Sequence, residues 1–104
     1  MKSHLDIEKR SIILHQAIAD KIIKNPSFLE KAKENLHRWS SMKDQNRSSK
    51  YFKEWEKILE KDVDEILKIM VENTEQMHLL RQSSPFTGIL TPQERWKIYE
   101  TFRA

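Results

Sequence analysis

The chain has no cysteine, one glycine, three prolines and no long apolar run in its 104 residues. Each scarcity excludes something. Without cysteine there is no disulfide and no thiolate-bound zinc, which fits a reducing cytoplasm. A single glycine, Gly88, rules out the glycine-rich loops that cradle phosphates, and Ser83-Ser84-Pro85 is no Gly-x-Ser-x-Gly elbow. No stretch approaches the roughly 20 apolar residues of a membrane span. Met1-Lys2-Ser3-His4 leads directly into an amphipathic pattern, so no signal peptide is expected. No run alternates apolar and polar residues between turn dipeptides, so no strand is placed.

What is abundant is charge, yet its net value is only +3. Its distribution says more. Residues 31–53 carry seven lysines and arginines against two carboxylates, and residues 54–75 carry three against eight. A basic block precedes an acidic one. Such blocks either solvate two faces or orient a charged partner.

The apolar residues recur at helical spacing, which argues for a folded domain despite the high charge. Helix one is predicted over Leu5 to Lys24, on a stripe of Ile7, Leu14, Ala17, Ile18 and Ile22 interrupted by Lys21. Ile12, Ile13, Ala19 and Ile23 widen the stripe, so this helix is expected to be central and well covered. Asn25-Pro26 breaks it and starts a second helix, Pro26 to Ser41, on Leu29, Ala32, Leu36 and Trp39. The wholly polar residues 43–50 read as a mobile connection. A third helix, Ser49 to Glu60, follows on Tyr51, Phe52, Trp55, Ile58 and Leu59. Asp62 and Glu65 suggest a capping box for a fourth, Val63 to Glu72. Thr74 caps a short fifth, Glu75 to Gln82. Thr91-Pro92-Gln93-Glu94 is a capping box with proline in the first turn. It opens a sixth helix to Arg103, with Trp96, Tyr99 and Phe102 on one stripe.

The connection between the last two helices organises the chain. It contains Gly88, Pro85 and the apolar residues Phe86, Ile89 and Leu90. A loop with three large apolar side chains buries them against the body or presents them to a partner. The sequence leaves Phe86 open between these fates. Arg81 reads first as a cation that pins the loop by bonding its carbonyls. It reads second, with Gln82 and Phe86, as a contact surface.

No catalytic set is visible. His4, His15, His37 and His78 form no pair at helical spacing and read as surface or boundary residues. The carboxylates of 54–65 lack the Glu-x-x-His companion of a carboxylate metal site. The hydroxyls of Ser83 and Ser84 are expected on the final carbonyls of helix five or on the loop backbone. In the basic block, Arg38, Trp39, Lys43, Arg47, Lys50, Tyr51 and Lys53 mix cations with aromatics, as single-strand nucleic-acid binders do. Helical spacing nonetheless sends Trp39 to the core.

The segments Ala17 to Lys24, Asn25-Pro26 and Leu29 to Trp39, followed by Leu80-Arg81-Gln82-Ser83-Ser84-Pro85-Phe86-Thr87-Gly88-Ile89-Leu90 and Glu94-Arg95, resemble a family of small bacterial helical proteins. The resemblance covers most of the chain, and the closing motif is its specific part. It implies a small partner in a bacterial toxin–antitoxin or similar two-gene module, and carries no catalytic residue.

The expectation is therefore a single all-α domain, 1–104, a bundle of five or six helices. Its expected function is that of a non-enzymatic protein-binding module, an antitoxin-like neutraliser of a partner enzyme encoded nearby. It is cytoplasmic and uses no cofactor and no metal. The alternative is a small nucleic-acid-binding regulator. The contact residues singled out are Arg38, Arg47, Lys50, Arg81, Gln82, Phe86 and Arg95. A homo-oligomer is compatible with the sequence; a membrane is not part of the reading.

Overall fold

The computed structural model describes residues 4–41 and 49–101. Most of the polar stretch 43–50, including Arg47, lies outside them, as do Phe102 and Arg103. Among the described residues there are six α-helices and no strand. They are α1 (His4–Lys24), α2 (Phe28–Ser40), α3 (Ser49–Leu59), α4 (Val63–Ile69), α5 (Glu75–Arg81) and α6 (Pro92–Glu100). The all-α bundle expected from periodicity is the fold.

Local chemistry sets the boundaries. α1 ends at Lys24, one residue before the asparagine that precedes Pro26, as the steric restriction at pre-proline positions requires. Asn25 then caps a turn ahead of α2: its Oδ1 accepts from the Ser27 amide at 3.2 Å and the Ser27 hydroxyl at 2.7 Å. The amides of Phe28, Leu29 and Glu30 bond carbonyls three residues back. This tighter turn moves the start of α2 two residues past the expected Pro26. Thr74 caps α5 through the Met77 amide, and Thr91 and Glu94 form the full reciprocal box on α6. The box expected at Asp62 does not form: Asp62 occupies the cap position, but its carboxylate makes no capping bond. α4 is correspondingly short and stops at Ile69 rather than Glu72.

α1 touches α2, α5 and α6, while α3 touches α2, α4 and α5. Between these two groups lies the core, which contains Ile18, Ile22, Ala32, Leu36, Trp55, Ile66, Met70 and Leu80. α1 is central, but its stripe is narrower than expected. Ile7 and Ile13 are exposed, and Ile23 is 62% exposed. Trp39 is half-buried and packs on the Phe52 ring at 5.6 Å. α6 differs from the rest: it buries no residue completely, and Trp96, expected on its inward stripe, is 51% exposed. Ile98 is the α6 residue packed against the core.

The connection from Gln82 to Thr91 folds inward. Phe86 and Ile89 are each 2% exposed, and Pro85 and Leu90 are buried too. Phe86 is therefore core, which settles its fate against the contact surface. Its ring meets Trp55 edge-on at 5.5 Å and His15 edge-on at 6.0 Å. Trp55 in turn donates its indole N–H to the Leu80 carbonyl at 2.8 Å, so this buried ring leaves no polar atom unpaired. Gly88 turns the chain with φ +86°, and an added Cβ would stand 3.2 Å from Lys31 Cε.

Phe86→Ala is expected to lower unfolding stability by about 3–5 kcal/mol, as removal of a fully buried aromatic does. Gly88→Ala is expected to cost about 1–2 kcal/mol from the left-handed backbone alone. Urea denaturation followed by helical circular dichroism measures both.

Candidate functional site

The inward loop has few backbone partners of its own, so side chains from two helices satisfy it. Asn35, on the buried face of α2, donates its amide to the Pro85 carbonyl at 2.9 Å and the Thr87 carbonyl at 3.0 Å. Its own oxygen accepts from Arg38 at 2.8 Å. A buried carboxamide without partners would be costly; this one has three. Lys21, the residue that interrupts the apolar stripe of α1, donates to the Ile89 carbonyl and to Glu94 Oε1, both at 2.8 Å. Glu94 Oε1 also accepts from the Thr91 amide at 2.7 Å. The Lys21 bond, seconded by the Thr91 amide, holds the Glu94 carboxyl at about 2, well below its usual value. The interruption is thus the tie that fixes α6 to α1.

His15, on α1, reaches the loop from the other side. Its Nδ1 lies 2.8 Å from the Ser11 carbonyl and its Nε2 lies 2.9 Å from Ser84 Oγ. The carbonyl only accepts, so Nδ1 carries the proton and Nε2 accepts from the Ser84 hydroxyl. The Ser84 oxygen also accepts from the Phe86 amide at 3.3 Å. The imidazole is 5% exposed. Burial lowers its pKa from 6.5 to about 4, the Ser11 bond opposing and the Arg81 charge adding to the drop. This corrects the sequence reading of His15 as a surface or boundary residue.

Two clefts run along α1 beside this arrangement and share Leu14 as a common wall. One, of about 190 Å³, lies between the loop and α6. His15, Ser84, Phe86, Arg95 and Tyr99 line it, with Ile18 and Leu90 among its apolar residues. The other, of about 230 Å³, lies between α1 and α5 and is lined by Ile7, Glu8, Arg10, Arg81 and Gln82, among others. The Arg10 guanidinium, from the second cleft, stacks over the Tyr99 ring of the first at 5.0 Å.

Four of the seven contact residues expected from sequence come together here: Arg81, Gln82, Phe86 and Arg95. Gln82 and Arg95 are exposed. Phe86 forms the floor and is not presented. Arg81 is 5% exposed, so it is no presented contact, and it pins α4 in place of the loop. It donates to the Met70 carbonyl at 3.1 Å and to His78 Nδ1 at 2.8 Å. His78 Nε2 then donates to Asn73 Oδ1 at 2.8 Å and lies 3.4 Å from Glu8. Burial lowers the Arg81 pKa, while Glu8 and Glu72 raise it. Arg38 and Lys50 lie away from the clefts. Arg38 is tied to Asn35, and the Lys50 ammonium sits over the Tyr51 ring at 5.1 Å. Arg47 is among the undescribed residues.

Sequence reasoning missed His15, Lys21, Asn35, Arg10 and Tyr99 as members of this site. Lys21 and Asn35 carried a signal, since each is polar on a face that must be buried. His15 carried none, because its partner Ser84 is 69 residues away. Among the described residues no group of three histidine or carboxylate side chains is placed to hold a metal, and no helix is long and apolar enough to cross a membrane. No family model, curated protein or solved structure matches the chain.

His15 ties stability to pH. Its folded-state pKa lies below the unfolded one, so protonation favours unfolding. Its contribution is complete above about pH 6.5, falls as the pH drops from there, and is gone below about pH 4. The loss over that window is roughly 3 kcal/mol. Urea midpoints measured from pH 7.5 to 4.5 are expected to fall in the wild type and to fall markedly less in His15→Gln.

Proposed function

We propose that the chain is a protein-binding module, antitoxin-like in that it occludes a partner enzyme encoded nearby. The reading rests on the surface along α1. Arg10 stacked on Tyr99, exposed Arg95 and Gln82, and exposed Ile7 border two clefts that share Leu14 as a wall. Arginine and aromatic side chains around apolar hollows are the composition that dominates protein–protein binding energy. Buried Phe86 fixes the floor of the cleft between the loop and α6, so little ordering entropy opposes docking there. Two arginines, Arg10 and Arg95, stand half-exposed or exposed beside one carboxylate, Glu8, which favours an acidic segment of the partner.

The nucleic-acid reading has less support. Its aromatic platform is occupied: Trp39 packs on Phe52, and Tyr51 is half-buried beneath Lys50. A gel shift at low salt separates the two readings.

Co-expression of the chain with the product of the adjacent gene, followed by affinity capture and chromatography, tests the proposal. A stable complex is expected. Arg95→Glu and Tyr99→Ala are each expected to weaken it by roughly thirtyfold, the equivalent of a 2 kcal/mol contact. A chain that elutes alone, or a complex indifferent to both substitutions, overturns it.

A further inference from the structure

The cleft between the loop and α6 holds more than a docking surface needs. Ser84 and His15 both line it, one half-exposed and one buried, 2.9 Å apart. The Ser11 carbonyl fixes the imidazole with its proton on Nδ1, so the Nε2 lone pair faces the serine hydroxyl. A nucleophile bonded to a base, and a base oriented by a third group, is the arrangement that activates serine for acyl transfer. A backbone carbonyl here takes the orienting part that a carboxylate plays in a triad. Around the pair, Leu14, Ile18, Phe86 and Leu90 make apolar walls, and the Arg95 cation contributes to the lining.

We propose that Ser84 and His15 form a nucleophile–base pair that accepts acyl groups from activated esters with a short aliphatic acyl chain. Ser84 Oγ bonds to the ester carbonyl carbon while its proton passes to His15 Nε2. The bond from that carbon to the leaving oxygen breaks, and Nε2–H returns the proton to the departing alkoxide. Water, deprotonated by the same Nε2, then attacks the Ser84 ester. The carboxylic acid leaves, and the proton returns to Ser84 Oγ. The balance is one ester and one water for one acid and one alcohol. Leu14, Ile18 and Leu90 receive the aliphatic chain. Burial keeps His15 neutral at all but acidic pH, which leaves its lone pair available across the physiological range. It also makes Nε2 a weaker base than an ordinary imidazole, so turnover is slow and reactive probes are the ones that read it. The Ser84–His15 pair shares this cleft with the partner reading, but its labelling test needs no partner.

The test uses the full chain with two probes: an alkyl fluorophosphonate, read by intact mass and peptide mapping, and p-nitrophenyl butyrate, read by nitrophenolate release. Fluorophosphonate labelling forms the Oγ–P bond, expels fluoride and gives the proton to Nε2. One adduct per chain is expected, on the peptide containing Ser84. Ser84→Ala abolishes it and Ser83→Ala leaves it unchanged. The labelling rate is flat from pH 6 to 8 and falls at acidic pH with a midpoint near 4. His15→Gln slows labelling by roughly 10²-fold or more, the contribution of a positioned base. Helical circular dichroism confirms that each variant is folded. If His15→Gln unfolds, the acidic midpoint in the wild type reports the same group, read only over the pH range in which circular dichroism shows the wild type still folded. Absence of an adduct overturns the proposal. So do labelling of Ser27 or Ser40 as readily as Ser84, equal labelling of Ser84→Ala, or a rate that rises through pH 6 to 8.

Discussion

Phe86 is the residue on which the rest of the molecule depends. It lies in a connection, not a helix, yet its ring is wedged between His15 of α1 and Trp55 of α3. A loop side chain thus bridges α1 and α3, which both also contact α2 and α5. Short helices such as α4 and α5 have little propensity to persist alone. They are held by burying Ile66, Met70, Met77 and Leu80 in the same core. Apolar burial brings the loop inward, and everything polar about the site follows from having to satisfy the backbone that comes with it.

That satisfaction is divided between two helices. α2 supplies Asn35, bridging carbonyls on both sides of Phe86; α1 supplies Lys21 and His15, at opposite ends of the loop. Lys21 and Asn35 lie at positions that helical periodicity assigns to an inward face, and His15 is buried too. Replacing any one with an apolar residue would improve the amphipathic pattern and strand a carbonyl or hydroxyl in the interior. The irregular stretch is thereby given a single conformation without strand or helix ladders of its own. Gly88 is the one described residue whose backbone needs positive φ.

How far the sequence could be read follows from the range of each interaction. Six helices and two of the expected caps, Thr74 and Thr91, were legible because caps and 3.6-residue spacing act within a few residues. Asp62 misled because a capping residue's identity does not guarantee its bond. The apolar content of the 85–90 stretch pointed to burial or contact, and only the position of Trp55 decides between them. The pairs Lys21–Glu94, Asn35–Pro85 and His15–Ser84 join residues at least 50 positions apart, and no local pattern encodes them. Trp96 shows the converse: it has good helical spacing, yet about half of its surface stays exposed.

The weak burial of α6 has a consequence for how the molecule comes apart. Stability is not uniform across a domain, and segments with few apolar contacts open first. Lys21, the stacked Arg10 and Ile98 are among the contacts that moor α6. Its detachment would leave the Phe86–Trp55 wedge untouched. The C-terminal helix is thus a separable shutter over an otherwise finished core, and amide exchange should release it well before the remaining helices unravel together.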